Sequence, residues 1–407
     1  MTKVPDFLTN EYLEKALRKY EKCDNLKVLE FKCKPAVAAG NNYASLLLRA
    51  SVKLSKNNNE EVEKSIIIKT VVPDPEIAKS IEDFGIYKRE ILMYDQILPK
   101  YHALLESMGD DEKLYSPAIA VDPENSTLIF EDLKKRGFSL ASRLKGVDET
   151  HLNLVTRKIA KFHACSMVLH ERDESSFNQF RDPPFVANAE AISYFDGMSE
   201  ALLEQMRTWQ GYEYYVKKFE KLKKWLPSEV MNVYSESKIP ISVLTHGDLW
   251  VNNMMFKYDE KMKPLELLLI DFQIGYFGTP VTDVLYFTLT STIDDIKFTK
   301  FPEILQKYHG ILVSCLKQLD FKGKLPTLFE LYNQFVEKSF FELYTVVSVL
   351  PIIINKEEEN ADVSYLMTDT PEAQKFKKEM FANERLIATV KHFLPLWDKV
   401  GLLDPLH

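Results

Sequence analysis

The strongest constraint on the fold lies in residues 245–273, where polar residues with a distinctive spacing follow two apolar segments. The segments, Ile241 to Thr245 and Leu267 to Ile270, have the length and composition of buried strands. Each strand would lead directly into polar side chains and support them from the interior. The polar residues have the pattern H-x-D-x-x-x-x-N after the first segment and D-F-Q after the second, and they are His246, Asp248, Asn253 and Asp271-Phe272-Gln273.

This pattern meets the chemical requirements of phosphoryl transfer. That reaction needs a group that orients the attacking hydroxyl and ligands that hold Mg²⁺ on the phosphates. We predict that Asp248 is the catalytic base and that Asn253 and Asp271, which offer hard oxygen donors, bind Mg²⁺. A structural role for each residue stays open, because His246, Asp248 and Asp271 could cap turns and Asn253 could fill a left-handed position. Their occurrence in order, beside apolar strands, favours the catalytic interpretation.

The chain before this segment predicts a small antiparallel sheet. Three β-rich segments between Leu26 and Val72 are separated by turns rich in Asn, and a helical stretch from Pro75 to Tyr101 follows them. Two further strands come before residue 131. We therefore predict a first lobe, residues 1–133, with a five-stranded antiparallel sheet and one main helix. The predicted strands are Lys27 to Phe31, Ser45 to Leu54, Ser65 to Val71, Ala118 to Val121 and Ser126 to Phe130.

From residue 134 to residue 407 the pattern is mostly helical, so we predict an α+β protein whose larger lobe carries the catalytic and substrate-binding residues. A chain of 407 residues with 45% hydrophobic residues is too long for one ordinary core. Two lobes with a nucleotide between them fit this length. The predicted helices cover residues 148–171, 187–225, 300–319, 325–350 and 371–397.

A lysine and a glutamate in the first lobe have the arrangement found in kinases. Lys69 ends the strand Ile66 to Ile68, where its ammonium could reach the α and β phosphates of ATP, and Glu90 lies on the following helix. A carboxylate beside that ammonium would fix its flexible stem. Each residue alone could equally be a solvated charge. Together with the polar pattern of residues 245–273, they predict a nucleotide-binding lobe.

Two loops of the first lobe are further candidates for contact with the nucleotide. The turn between the first two strands offers backbone amides and polar side chains to phosphate oxygens, but it lacks the G-x-G-x-x-G pattern and a plain hairpin turn is an open alternative. The segment after the fifth strand could present backbone groups to adenine or be a simple linker. The candidate cofactor-binding residues are Gly40, Asn41, Asn42, Ser45, Lys69, Glu131, Asp132 and Leu133.

Charge and composition exclude several classes of partner. The formal net charge of -8 argues against non-specific binding to nucleic acid or to an anionic membrane. No apolar segment reaches the length of a membrane span, and the first twenty residues mix charges with apolar residues instead of forming a secretory signal. Four scattered cysteines without metal-ligand spacing are typical of reduced thiols. We therefore expect a cytoplasmic protein.

With these residues in place, the chain resembles the ecdysteroid kinase-like family of insects, also described as choline-kinase-like, within the choline and aminoglycoside phosphotransferases. The resemblance implies a bilobal protein-kinase-like fold, with ATP and Mg²⁺ as cofactors, and the roles already given to Lys69, Glu90, Asp248, Asn253 and Asp271. It also implies that Asp283, after a Gly-x-Pro turn, supports the catalytic loop. The segments that carry it are Leu128 to Leu133, Ala160 to Ala164, Leu244 to Asn253 and Ile270 to Gln273.

The resemblance further implies a substrate. It points to a hydrophobic alcohol, such as an ecdysteroid or a related steroid or xenobiotic, that phosphorylation makes soluble and inactive, as in detoxification. The interval from Asp271 to Asp283 is too short for a phosphorylatable activation segment, so no protein substrate is expected. Choline or another amino alcohol is an alternative acceptor, and a catalytically silent binding protein is another. Aromatic residues at 194–195, 209, 212 and 214–215 could line an apolar pocket or simply pack between helices.

Overall fold

The structure is a computed structural model that describes residues 4–36, 45–56, 60–183, 189–235, 237–239, 241–355, 364–368 and 370–404. The chain divides into two compact units. The first unit comprises Met1–Ser139 and Met255–Ile274, and the second comprises Leu140–Met254 and Gly275–His407. A late segment of the chain therefore belongs to the same unit as its beginning. The predicted lobe boundary at residue 133 stays a prediction.

The first unit contains the predicted five-stranded antiparallel sheet. Its strands have the order β1-β2-β3-β5-β4. Alternate residues of β2 and β3 point to one face, where Leu48 is opposite Ile68, and helix α1 (Asn10–Glu21) covers this face with Leu13 and Leu17. All five predicted strands are confirmed, with ends displaced by a few residues. They are β1 (Lys27–Pro35), β2 (Leu46–Ser55), β3 (Glu61–Thr70), β4 (Ala118–Asp122) and β5 (Thr127–Glu131).

The main helix predicted for this unit is a series of shorter helices. Gly85 has φ of 68° in the left-handed region, which glycine adopts without strain, and this residue ends the first helix. A π-helical turn, Met93–Ile97, then separates the next two helices and carries Tyr94. The helices are α2 (Pro75–Asp83), α3 (Ile86–Leu92) and α4 (Leu98–Ser107), and the two-residue strand β6 (Phe138–Ser139) ends this part of the unit.

The second unit begins with helices that enclose its core. The long helix α5 (Glu149–Arg172) starts where the Asp148 carboxylate accepts hydrogen bonds from the backbone N–H groups of Thr150 and His151. This helix confirms the prediction for residues 148–171. The helical pattern predicted over residues 187–225 corresponds to two separate helices. These are α6 (Ala189–Met206) and α7 (Glu213–Leu222); helix α8 (Leu226–Val233) and strand β7 (Val243–Leu244) follow them.

A hairpin formed by β8 (Met254–Tyr258) and β9 (Pro264–Leu269) returns the chain to the first unit. It forms a three-stranded sheet in the order β6-β8-β9. The sequence did not predict β8, because its short apolar run has no alternation to mark a strand. The end of β9 is fixed by Leu269, whose N–H donates to the Leu114 carbonyl at 3.0 Å and whose carbonyl accepts from the Ser116 N–H at 3.1 Å. This end lies two residues before Asp271.

The remaining chain completes the helical second unit. Strand β10 (Phe277–Gly278) pairs with β7, and α11 packs along α5. A second π-helical turn, Thr345–Val349, joins α13 to α14. Within the described part of the chain, no helix has the length and apolar character that crossing a membrane requires. The helices are α9 (Val281–Ser291), α10 (Asp294–Thr299), α11 (Phe301–Gln318), α12 (Leu328–Glu337), α13 (Phe340–Tyr344), α14 (Leu350–Ile353), α15 (Ser364–Met367), α16 (Pro371–Phe381) and α17 (Glu384–Lys399).

Candidate active site

The first unit contains a cluster of one ammonium and two carboxylates, of which the ammonium and one carboxylate are buried. Lys69, at the end of β3, lies with its Nζ 2.7 Å from Oε2 of Glu90 on α3 and 2.6 Å from Oδ1 of Asp271 after β9. Only 8% of Lys69 and 4% of Glu90 is exposed. The Lys69 and Glu90 ion pair expected from the sequence is present, and Asp271 is an additional partner that the sequence did not indicate. We call these three residues the lysine cluster.

The charges of the lysine cluster do not balance. Burial opposes the charge of the Lys69 ammonium, but Asp271 and Glu90 outweigh it and raise the pKa of Lys69. Burial also raises the pKa of Glu90, although the nearby Lys69 ammonium acts to lower it. Two carboxylates therefore share a single buried cation, and ionising both of them is costly unless further positive charge is supplied. A divalent cation bound to Asp271 would supply that charge, so the cluster fits a metal-binding role.

The backbone around Asp271 is held in an unusual conformation. Asp271 has φ of 70°, in the left-handed region that costs a residue with a Cβ about 1–2 kcal/mol. The next residue, Phe272, anchors this turn. Its ring is buried at centroid distances of 5.8 Å from Tyr94 and 6.5 Å from Tyr115, and its N–H donates to the Glu90 carboxylate. The first π-helical turn places Tyr94 in this contact, so α3 and the Asp271 turn are coupled through aromatic packing.

In the second unit, Asp283 fixes the backbone that precedes Asp248. Its Oδ2 accepts the His246 N–H at 2.6 Å, and its Oδ1 accepts the Gly247 N–H at 3.0 Å. Gly247 has φ of 81°, so glycine avoids strain at this tight turn. The buried imidazole of His163 on α5 lies 3.1 Å from Asp283 and 2.8 Å from the Tyr308 hydroxyl. Asp283 therefore supports the loop from within the core.

The Asp248 carboxylate is oriented by neutral hydrogen-bond donors. Oδ1 accepts the Tyr286 hydroxyl at 2.8 Å, while Oδ2 accepts the Asn253 amide at 2.8 Å and the Trp250 indole N–H at 3.2 Å. These three donors are neutral groups, so the carboxylate that they orient can still accept a proton from a hydroxyl. Because the Asn253 Nδ2 faces Asp248, its amide oxygen is directed away from that carboxylate. This orientation suits a side chain that offers oxygen to a metal ion.

The other candidate nucleotide contacts have varied positions. Gly40, Asn41 and Asn42 lie outside the described residues. Ser45 is buried at the start of β2, and Leu133 is buried at the start of a 3₁₀ turn. Ser45 and Leu133 are both in the first unit, and their contact with a nucleotide stays a prediction.

Two acidic candidates in the first unit have protein partners. Glu131 accepts hydrogen bonds from Tyr20 and Arg136. Asp132 accepts from Arg49 and from Ser65, both at 2.8 Å. Because these carboxylates are already engaged, any contact with adenine would come from the backbone of this segment, as the sequence suggested.

A cavity of about 720 Å³ opens in the first unit. Ser65 lines it, and Ser65 lies four residues before Lys69 on β3, so both side chains point to the same face of the sheet. Arg49, Glu131 and Asp132 also line the cavity. Its volume is in the usual range for small-molecule sites. Of the residues predicted to contact the nucleotide, Glu131 and Asp132 line this cavity, and a role of the cavity in nucleotide binding stays a prediction.

Three residues of the site were not identified from the sequence. Trp250 is within the polar pattern, and its indole could have been noticed as a donor two residues from Asp248. His163 lies in the segment Ala160 to Ala164, which carries part of the family resemblance, but no residue near it in sequence indicates its chemical role. Tyr286 is 38 residues from Asp248 and no local signal marks it. Only packing of α9 against the loop brings it there.

Comparisons with known proteins identify the family. Residues 39–321, well over half of the chain, match the model of the ecdysteroid kinase-like family. Similar solved structures include a choline kinase from Cryptosporidium parvum, with 12% identity, 96% of this chain and 99% of that chain covered, and a TM-score of 0.47. An ethanolamine kinase from Plasmodium vivax has 13% identity, with 95% and 94% covered and a TM-score of 0.43. No curated protein gives a significant match. By the match to its model, the chain belongs to the ecdysteroid kinase-like family.

Proposed function

We propose that the protein is an ATP-dependent kinase that phosphorylates a hydroxyl group of a small hydrophobic alcohol. The observation that supports this most strongly is the lysine cluster. Burial of Lys69 and Glu90 beside a second carboxylate is expensive for a purely structural element, and such arrangements are concentrated at functional sites. Family membership supports the same conclusion.

Each site residue has a role in the proposed reaction. Lys69, held by Glu90, would bind the phosphates of ATP, and Asn253 and Asp271 would hold Mg²⁺. The metal ion supplies positive charge that offsets the charge of the phosphates. Asp248 would orient the acceptor hydroxyl and take its proton as the hydroxyl oxygen attacks the γ-phosphorus. The bond from that phosphorus to the β,γ-bridging oxygen breaks in the same reaction, and ADP leaves. The support from Asp283 and the donors around Asp248 keep that carboxylate in one position, which reduces the entropy lost on reaction.

The proposed acceptor is a neutral steroid or related xenobiotic alcohol, and the proposed role is its inactivation. Membership of the family supports this choice of acceptor. A location in the reducing cytoplasm is consistent with the four free cysteines, Cys23, Cys33, Cys165 and Cys315. A catalytically silent protein is disfavoured because Lys69, Asp248, Asn253 and Asp271 are all present with suitable partners.

A panel of alcohols tests the proposal. The protein is incubated with ATP, Mg²⁺ and a steroid alcohol, a phenol or choline, and each product is measured for the mass gain of one phosphate. We expect gain with the steroid or the phenol, and none with Asp248→Asn under the same conditions. Gain with choline alone would establish an amino-alcohol kinase instead. No gain with any acceptor, together with no calorimetric heat for ATP and Mg²⁺, would reject the kinase assignment.

A further inference from the structure

Three tyrosines of the second unit form a cluster, and one of them contacts Asp248. Tyr286 donates its hydroxyl to the carboxylate, and the hydroxyls of Tyr234 and Tyr344 are hydrogen-bonded to each other. The rings of all three tyrosines contact the ring of Phe341, which joins Tyr234 and Tyr344 to Tyr286. We call Tyr234, Tyr286 and Tyr344 the tyrosine cluster.

The tyrosine cluster is partly open to solvent. Each of the three side chains keeps accessible surface and is only half-buried. Their rings all contact the buried ring of Phe341, so the accessible parts of the three tyrosines border one area of the surface. We call the space that they border the recess. It includes Tyr286, which contacts the carboxylate that we assign as catalytic base.

Two phenylalanines support the tyrosine cluster from behind. The ring of Phe341 lies 6.3 Å from Tyr286, 6.3 Å from Tyr234 and 5.8 Å from Tyr344. Phe195 on α6 lies 5.1 Å from Tyr344 with its ring nearly perpendicular. Both phenylalanines are buried, so the tyrosine rings cannot easily collapse away from the recess. The result is an extended aromatic wall with phenol hydroxyls along it.

Acidic side chains on the surrounding helices are directed elsewhere. Glu342 accepts the Trp397 indole N–H at 2.7 Å, Asp283 supports the catalytic loop, and Glu200 pairs with Lys223. Among the described side chains of α6, the other acidic groups, Asp196 and Glu204, are exposed. The recess therefore offers aromatic faces and hydroxyls, with Asp248 as its adjacent acid. This composition suits a neutral ring compound better than a small cation that needs its own counter-charge.

A local distortion of the helix directs Tyr344 into this wall. Tyr344 ends α13, and the π-helical turn Thr345–Val349 follows it directly. Such a turn adds a residue to the helical repeat and changes the direction of neighbouring side chains, and it occurs often at functional sites. The turn packs against both α9 and α6, the helices that carry Tyr286 and Phe195. The turn therefore brings together α6, α9 and α13.

We propose that the tyrosine cluster is the acceptor-binding site, that it takes a neutral ring alcohol stacked on Tyr344, and that Tyr286 is a positioning residue for Asp248. The reaction part of this proposal rests on the proposed kinase function, but the binding part does not. The aromatic residues at 209, 212 and 214–215 belong to a different cluster, in which Lys391 lies over the Trp209 and Tyr212 rings. They are not part of the site.

Binding without nucleotide tests the site independently of catalysis. The probes are 2-naphthol, a flat neutral alcohol, and choline chloride, each titrated calorimetrically into the wild-type chain. We expect 2-naphthol to bind more tightly than choline and Tyr344→Leu to weaken its binding at least tenfold. Tyr214→Leu, at an exposed tyrosine of the other cluster, should bind as the wild type does. Equal affinity of wild type and Tyr344→Leu, with thermal midpoints alike, or tighter binding of choline, would overturn the proposal.

The role of Tyr286 needs a kinetic measurement. Tyr286→Phe keeps the ring and removes the hydroxyl that Asp248 accepts, so kcat should fall about tenfold while KM for the acceptor changes little. A merely structural role would lower the thermal midpoint and leave kcat of the folded enzyme intact, which would refute the assignment. If 2-naphthol binds and Tyr344→Leu abolishes this binding, but no acceptor is phosphorylated, the site stands and the kinase function fails.

Discussion

At the scale of single residues, the site depends on charges that satisfy one another. Lys69 serves two carboxylates, Asp283 accepts two backbone N–H groups, and Asp248 accepts three neutral donors. Removal of one partner from a buried ion pair is costly, because the group left behind is neither solvated nor neutralised. Single substitutions at these positions should therefore affect more than the side chain that is removed.

Lys69 and Glu90 should behave as one unit. We expect Lys69→Ala and Glu90→Ala each to weaken the affinity for ATP and Mg²⁺ and to reduce turnover, and the double variant to lose little more than either alone. Exposed Lys53→Ala and Glu82→Ala provide the matched control pair. A double-mutant cycle on ATP affinity is the measurement, and strictly additive losses would show that the pair does not act together.

The two aspartates should fail in different ways. Asp248→Asn removes proton acceptance with little change of volume, so turnover should fall about 10²- to 10⁴-fold while ATP affinity is nearly unchanged. Asp271→Asn should also weaken the Mg²⁺ dependence of nucleotide binding, because a neutral amide is a poorer ligand for a hard dication. Measurements of turnover and of calorimetric ATP binding, each at several Mg²⁺ concentrations, distinguish the two variants. Near-normal turnover in Asp248→Asn, or equal loss of ATP binding in both, contradicts the assignment.

At the scale of secondary-structure elements, π-helical turns follow two helices that carry site residues. The turn Met93–Ile97 extends α3 and places Tyr94 against Phe272, and the turn Thr345–Val349 extends α13 beside Tyr344. The catalytic loop has another form of support, since helix α9 contributes Asp283 to its backbone and Tyr286 to its carboxylate.

The link between α9 and the loop can be weakened directly. In Asp283→Asn, an amide NH₂ group replaces one of the two oxygens that accept backbone N–H groups. The substitution also removes the negative charge beside the His163 imidazole. We expect a stability loss of about 1–3 kcal/mol, since buried polar groups lose their partners. Exposed Asp196→Asn is the control. Denaturant unfolding measures the change, and a stability equal to wild type would mean that the loop does not depend on Asp283.

At the scale of the whole molecule, stability should depend on pH through Glu342. Burial raises the pKa of Glu342 to about 7 from its ordinary 4.5, although the Trp397 N–H opposes the shift. The folded state therefore keeps a proton that the unfolded state releases, so the contribution of Glu342 to stability is fully present below pH 4.5 and is lost as pH rises through about 7. Glu342→Gln, which does not titrate, should be more stable than wild type at pH 8 by about 1–2 kcal/mol.

The difference between Glu342→Gln and wild type should shrink as pH approaches 4.5. Chemical denaturation at pH 4.5, 6 and 8 provides the measurement, and Glu379→Gln at an exposed position of α16 controls for the general loss of one negative charge. A constant difference across this range would show that Glu342 is not buried in a way that favours its protonated form.

The sequence by itself predicted the features that depend on neighbouring residues. β-rich segments separated by turns marked strands of the first unit, and a long helical pattern marked α5. The spacing of Asp248, Asn253 and Asp271 around apolar strands indicated the chemistry, because a reactive loop needs its polar groups at fixed positions relative to rigid support. The family resemblance came from the same short segments, and the match of residues 39–321 confirms it.

Tertiary structure alone decided the features that join distant parts of the chain. Lys69 meets Asp271 across 202 residues, and Tyr286 meets Asp248 across 38. The hairpin of β8 and β9 returns to the first unit although it follows the helices of the second. Periodicity and turn chemistry describe how a segment is built, but a contact between segments depends on how all the elements pack. The partners of each catalytic group and the aromatic wall beside Asp248 are determined at that level.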